Sequence, residues 1–252
     1  MSKFIVVYDI HAAPGEDNSR ADALANMIID QKPTHVINGG DTIDFNSLSS
    51  YDKGKRSAIG RNYVEDVKSH LDFQKRMWEP VRARKKKMPL TFFLEGNHEN
   101  RLSRALDLSP EYDGAISFDH LKLDEYYDEI VRYDGGTPGV IEIEGILFAH
   151  YFPSGVMGRP IGGERPAYSL IMKNGQSSVQ GHIHTMDFCS HRKVSGKTLN
   201  GVVNGTFNGN IPHWAGTIAR FWQPGLSVFH NVRDGAFDFE WWSLERVQNT
   251  YG

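Results

Sequence analysis

The chain has 252 residues, with 28 Lys plus Arg against 31 Asp plus Glu and a net charge of −3. That length suits one large domain and buries a sizeable core, and the near balance of charge does not call for a nucleic-acid partner. The single cysteine, Cys189, excludes an internal disulfide framework and reads as a small buried apolar residue.

The opening MSKFIVVYDIH lacks the long apolar core and small-residue cleavage site of a signal peptide. No apolar run reaches the roughly 18 residues of a membrane helix. The expectation is a soluble cytoplasmic protein without a membrane partner. Residues 4–8 form a β-branched apolar run and predict a buried strand. A helix follows at 22–30, with Leu24, Met27 and Ile28 at helical spacing and Pro33 beyond its end. Residues 35–38 predict a second strand, closed by Gly39-Gly40, and 42–58 an irregular loop. A long helix is expected over 64–84, kinked or restarted at Pro80. A third strand falls at 90–94 and a short helix at 101–106. The acidic stretch 107–137 is the candidate cap or lid insertion. A hairpin turns at Gly145, a helix spans 164–174, and a strand runs over 178–184. From Asp187 onward the pattern is strand-rich, with turns at Ser195-Gly196, Asn204-Gly205 and Asp234-Gly235. Helices alternating with strands early, and mostly strands later, argue for α/β with a mixed sheet in a single domain, 1–252.

Five motifs close apolar runs at their carboxyl ends, where α/β sheets place their ligand crevice. They are Asp9-Ile10-His11, Gly39-Gly40-Asp41, Gly96-Asn97-His98-Glu99, His150 and Gly181-His182-Ile183-His184. In an extended chain, residues two apart face the same side, so Asp9 with His11, and His182 with His184, are expected to present both groups to one site. Imidazole, carboxylate and amide oxygen suit a pair of divalent ions: manganese first, with iron, zinc, nickel and magnesium as alternatives. Asp41, on its glycine turn, is the natural bridge. Two such ions bind a phosphoryl group, acidify a water and stabilise the leaving oxygen.

The order D-x-H, GD-x-x-D, GNHE, a lone His, then GH-x-H resembles the calcineurin-like metallophosphoesterase superfamily, from Asp9 to His184. The stretch 39–49 looks like small phage- and prophage-encoded members, which would place the protein in a host cytoplasm. It lacks the Arg-Gly of the Ser/Thr protein phosphatases after Asp44. The resemblance implies two packed mixed β-sheets flanked by helices, a four-layer α-β-β-α sandwich. It implies that Asp9, His11 and His184 hold one metal, that Asn97, His150 and His182 hold the other, and that Asp41 bridges. His98 would contact the phosphate, together with Asn97, and protonate the leaving alkoxide. Glu99 would orient or polarise His98, and Asp44 would support the ligands from behind. Arg101 reads equally as a phosphate contact and as a solvated charge.

The expected activity is hydrolysis of a phosphodiester or phosphomonoester by in-line attack of a metal-bridging hydroxide. A nuclease is its sharper version, motivated by the phage-like loop and by the basic run at 82–87. A nucleotide or small-molecule phosphatase is the alternative. A non-catalytic binding module on the same fold is the reading of another class; intact ligands and His98 speak against it.

Overall fold

The structure is a computed structural model that describes residues 1–84, 86–211 and 213–252, and the side chains of these except His213 and Trp214. Strand β1 (Ser2–Val7) is buried on both faces. Phe4, Val6 and Tyr8 point one way, and Ile5 and Val7 the other, which explains its unbroken apolar run. Helix α1 (Arg20–Gln31) leads to β2 (His35–Asn38). The loop expected at 42–58 holds two short 3₁₀ turns, Asn46–Leu48 and Arg56–Ala58. Helix α2 (Tyr63–Arg84) then runs unbroken through Pro80. An interior proline costs about 3 kcal/mol. Here Met77, Trp78 and Val81, fully buried on either side of it, hold the helix against the sheet.

Strand β3 (Leu90–Leu94) and helix α3 (Asn100–Leu108) follow. Residues 107–137 form three 3₁₀ turns and then β4 (Glu129–Val131), which pairs in parallel with β3. Leu121, Leu123 and Tyr127 of this stretch are buried in the core. The hairpin β5 (Ile141–Ile143) and β6 (Ile146–Phe148) turns at Glu144-Gly145 as expected. A small ribbon, β7 (Pro153–Ser154) with β8 (Arg159–Pro160), precedes α4 (Pro166–Asn174). Strand β9 (Ser177–Gln180) is followed by β10 (Met186–Arg192), β11 (Thr198–Asn204), β12 (Gly225–Arg233) and β13 (Ala236–Ser243). The chain closes with a helix that the strand-rich reading did not anticipate, α5 (Leu244–Tyr251), capped by the Ser243 hydroxyl accepting from the Arg246 N–H.

Two mixed sheets result, in the orders β13-β12-β1-β2-β3-β4 and β10-β11-β9-β6-β5. Phe4, Val6 and Ile37 of the first meet Phe148, Val179 and Val202 of the second in the central apolar layer. Helices α1, α2 and α5 cover the outer face of the first sheet, and α4 that of the second. This is the expected four-layer sandwich. Strands β1, β2 and β3 run parallel, as do β6 and β9, so in each sheet these carboxyl ends emerge at one edge. The basic run lies at the other end of β3, before Leu90; Lys85 within it is outside the described residues.

Candidate metal centre

Asp9 and His11 follow β1, Asp41 follows β2, Asn97 and His98 follow β3, His150 follows β6, and His182 and His184 follow β9. All eight converge on one cleft, but not by strand alternation. Asp9, His11, Asp41, His182 and His184 all have φ between 49° and 69°, the left-handed region. The strands end first, at Val7 and Gln180, and each ligand is presented from a tight backbone turn. Left-handed non-glycine residues cost about 1–3 kcal/mol each and persist where surrounding bonds hold them.

Those bonds are visible. The Asp41 Oδ1 accepts from the His98 N–H at 2.8 Å, and Asp9 Oδ2 accepts from the His182 N–H at 2.8 Å. Each carboxylate lies against a glycine. A Cβ on Gly96 would come 2.1 Å from Asp41 Oδ1, and one on Gly181 2.4 Å from Asp9 Oδ2. The glycines in GNHE and GH-x-H are therefore the space that the two carboxylates occupy.

Two sets of ligand atoms gather, each within 4.8 Å of one another: Asp9, His11 and His184, and Asp41, His150 and His182. Asp41 also groups with His11 and His98, so it stands between the halves. Asn97 Oδ1 lies 3.0 Å from His150 Nε2 and joins the second half. The donor set fits cations. Asp9 Oδ1 is buried with no hydrogen-bond donor, and His11 Nε2 and His184 Nε2 face each other at 3.2 Å beside it. A buried carboxylate oxygen without a donor is costly, and a cation among these three atoms relieves it. His150 Nδ1 donates to the carbonyl of Gly39 at 2.9 Å, which leaves Nε2 facing the cleft.

Electrostatics agree with that picture. Burial pushes Asp41 up, but His150, His98 and His11 outweigh it and hold the carboxyl well below its usual range. Burial and the neighbouring His150 push His182 down to about 4, so it is a neutral imidazole with a free lone pair. Burial would lower His98, yet Asp41 and a hydrogen bond to Asp44 raise it.

Glu99 differs from expectation. Its carboxylate does not orient His98. Oε2 accepts from the N–H groups of Asp41 (2.9 Å) and Gly96 (3.0 Å), while Oε1 accepts from the N–H (2.7 Å) and hydroxyl (2.8 Å) of Thr42. The fully buried carboxylate thus clamps the Asp41 turn to the start of GNHE. Asp44 faces His98 instead, with Oδ1 2.9 Å from His98 Nδ1 and 3.4 Å from His11 Nδ1. Arg101 donates to the carbonyl of Asp44 at 2.7 Å, and its Nη2 lies 3.2 Å from His98 Nε2.

Two supporting residues carried no motif signal. Arg20 is buried and donates to the carbonyls of Ile10 (2.9 Å), Phe207 (3.1 Å) and Asp17 (2.6 Å), pinning the backbone around His11. The Tyr8 hydroxyl donates toward the carbonyls of Ala149 (3.1 Å) and Val179 (3.3 Å), tying the two sheets together beneath the site. An arginine one turn past Asp17 and Asn18 looks like any helix-start charge, so the sequence held no cue for it.

A mixed α/β sandwich with clustered histidines and carboxylates at its sheet edge defines a metal-binding protein. The chain belongs to the calcineurin-like phosphoesterase family, whose model matches residues 2–222. It is accordingly a metal-dependent phosphoester hydrolase, of a family that uses dinuclear divalent metal sites. It is 27% identical over 200 residues to the "Gene 54 protein" of Mycobacterium phage L5, covering 76% of this chain and 72% of that one. Among solved structures, it is similar to a dimetal phosphatase from Danio rerio, with 11% identity, 96% of each chain covered and a TM-score of 0.44. It is also similar to Yfce, a phosphoesterase from E. coli, with 12% identity, 96% of this chain and 99% of that one covered, and a TM-score of 0.41. Among the described residues no helix is long and apolar enough to cross a membrane.

Proposed function

We propose that the chain hydrolyses a phosphodiester or phosphomonoester by in-line displacement at a dinuclear site. Asp9, His11 and His184 would hold one ion and Asn97, His150 and His182 the other, with Asp41 shared; manganese is our first choice of metal. The carrying observation is the pair of ligand groups, Asp9–His11–His184 and Asp41–His150–His182, on one cleft. Bound ions would fix the phosphoryl oxygens, lower the pKa of the attacking water and offset the developing charge.

The chain's own residues would do the rest. His98 has Nδ1 held by Asp44, which leaves Nε2 toward the cleft. The Asp44 carboxylate at Nδ1 favours the protonated ring, whose Nε2 proton would go to the leaving oxygen. Water loses a proton to solvent and forms the new P–O bond, the ester P–O bond breaks opposite to it, and His98 supplies the proton that the departing alkoxide takes up and regains one from solvent. Arg101, beside Nε2, would meet a phosphate oxygen.

The nuclease version draws less support, because the basic run lies at the far end of β3 from the cleft. The test is a pair of variants read on metal content and turnover. His98→Ala is expected to retain metal while losing about 10²-fold or more in kcat on an alkyl phosphate ester, with a smaller loss on a nitrophenyl ester. Asp41→Ala is expected to lose metal. Full activity of His98→Ala on the alkyl ester would remove the proton-donor role.

A further inference from the structure

Three cavities open from the metal cleft, and the two larger ones meet at Asn97. One of these two, of about 440 Å³, runs along α3 and is lined by Asn100, Ser103, Arg104 and Asp107 opposite Gly135 and Gly136. These helix residues fall at i, i+3, i+4 and i+7, one face of the helix. Neither glycine has an atom within 4 Å of where a Cβ would stand, so the wall they make is open. Arg104 is exposed and shares this lining with Asp107, in contrast to Arg101, which is tied to backbone carbonyls.

The other cavity, of about 370 Å³, contains His98, His182 and His184, and its far wall is Ile183, Ile218 and Trp222. Ile218 is 68% exposed, an apolar side chain presented beside charged ligands. Both volumes fall in the usual range for small-ligand pockets. The cleft therefore has a polar arm with an available cation and an apolar arm that contains His98.

We infer that the site takes a phosphodiester with a substituent on each side of phosphorus, rather than a monoester. A polar sugar- or phosphate-bearing group lies along α3, and a flat or apolar leaving group lies against Ile218. The inference rests on the phosphoesterase reading above and narrows it. A monoester would fill one arm and leave the other in water. The leaving group belongs to the apolar arm because the proton donor lines that cavity and not the α3 groove. Arg104 then donates hydrogen bonds to oxygen atoms of the retained sugar-bearing group.

The test uses the manganese-loaded full chain with three substrates: thymidine 5′-(p-nitrophenyl phosphate), bis(p-nitrophenyl) phosphate and p-nitrophenyl phosphate. Wild type is expected to favour both diesters over the monoester by at least roughly tenfold in kcat/KM, a gap of about 1.4 kcal/mol. In Arg104→Ala the ratio of kcat/KM for the thymidine diester to that for the bis-aryl diester is expected to fall about fivefold. Ile218→Ser should lower kcat/KM for the bis-aryl diester by a similar factor. Calorimetry with thymidine 5′-monophosphate supplies a readout independent of turnover: its Kd should weaken about fivefold in Arg104→Ala. Equal or better turnover of the monoester overturns the inference, as does an Arg104→Ala effect equal on both diesters, and the phosphoesterase reading survives either result. If no substrate is turned over, that reading falls and takes the inference with it.

Discussion

Glu99 acts on the site through the backbone. Its two oxygens take the N–H groups of Asp41, Thr42 and Gly96, all buried. Burial and the nearby Asp41 raise its pKa, and the Thr42 bonds oppose that shift. A glutamine of the same shape would turn an NH₂ group toward backbone donors and lose one acceptor. Glu99→Gln is therefore expected to weaken metal affinity by about 10–100-fold while leaving every ligand side chain in place. A competition titration with a chromophoric chelator measures this. Wild-type affinity would mean that the Asp41 turn holds its left-handed conformation without the clamp.

Helix α2 delivers a second buried group to the same turn. His70 Nδ1 lies 3.2 Å from the Thr42 hydroxyl, and Nε2 donates to the Leu121 carbonyl at 3.2 Å. Burial pushes its pKa down to about 4. An unfolded histidine titrates near 6.5, so between about pH 6.5 and 4 the unfolded chain binds a proton that the folded chain does not. Stability from this group is complete above about pH 6.5 and falls as acid is added, by up to about 3 kcal/mol at pH 4. Urea midpoints at pH 7.5 and 5 for wild type and His70→Gln check it. The variant should lose less on acidification, and identical losses would show that His70 carries no share of the acid sensitivity. Elsewhere at this scale, residues 107–137 contribute β4 to the sheet and Leu121 and Leu123 to the core, so their acidic composition concealed a packed segment. Periodicity failed there because 3₁₀ turns are too short to show one.

Across the molecule, five left-handed candidate ligand residues and an orphaned Asp9 oxygen gather at the edge where the two sheets meet. The fold stores strain and like charge at this edge, and cations held there would offset the charge. Metal that binds only the folded chain stabilises it by about 2.7 kcal/mol at a hundredfold excess over Kd. Stripping metal with a chelator is thus expected to lower Tm by roughly 5–10 °C for a chain of this size, and adding manganese back should restore it. A Tm indifferent to both would mean that the cluster is balanced by protons alone.

By itself the sequence determined the family and the order of the histidines and carboxylates that the fold gathers. Residue types at the ends of apolar runs carry over directly, because a strand buried on both faces is an unbroken apolar run and its end is a change of composition. It located strands as well: 35–38 and 90–94 match β2 and β3 residue for residue. Tertiary structure alone decided which partner each polar group takes. Glu99 faces backbone 57 and 58 residues away, and Arg20 reaches a carbonyl 187 residues away. No local pattern encodes such choices, since a buried donor takes whichever acceptor packing brings within about 3 Å. The cavity along α3 and the one beside Ile218 and Trp222 were decided in the same way, by segments distant in sequence that pack about one edge.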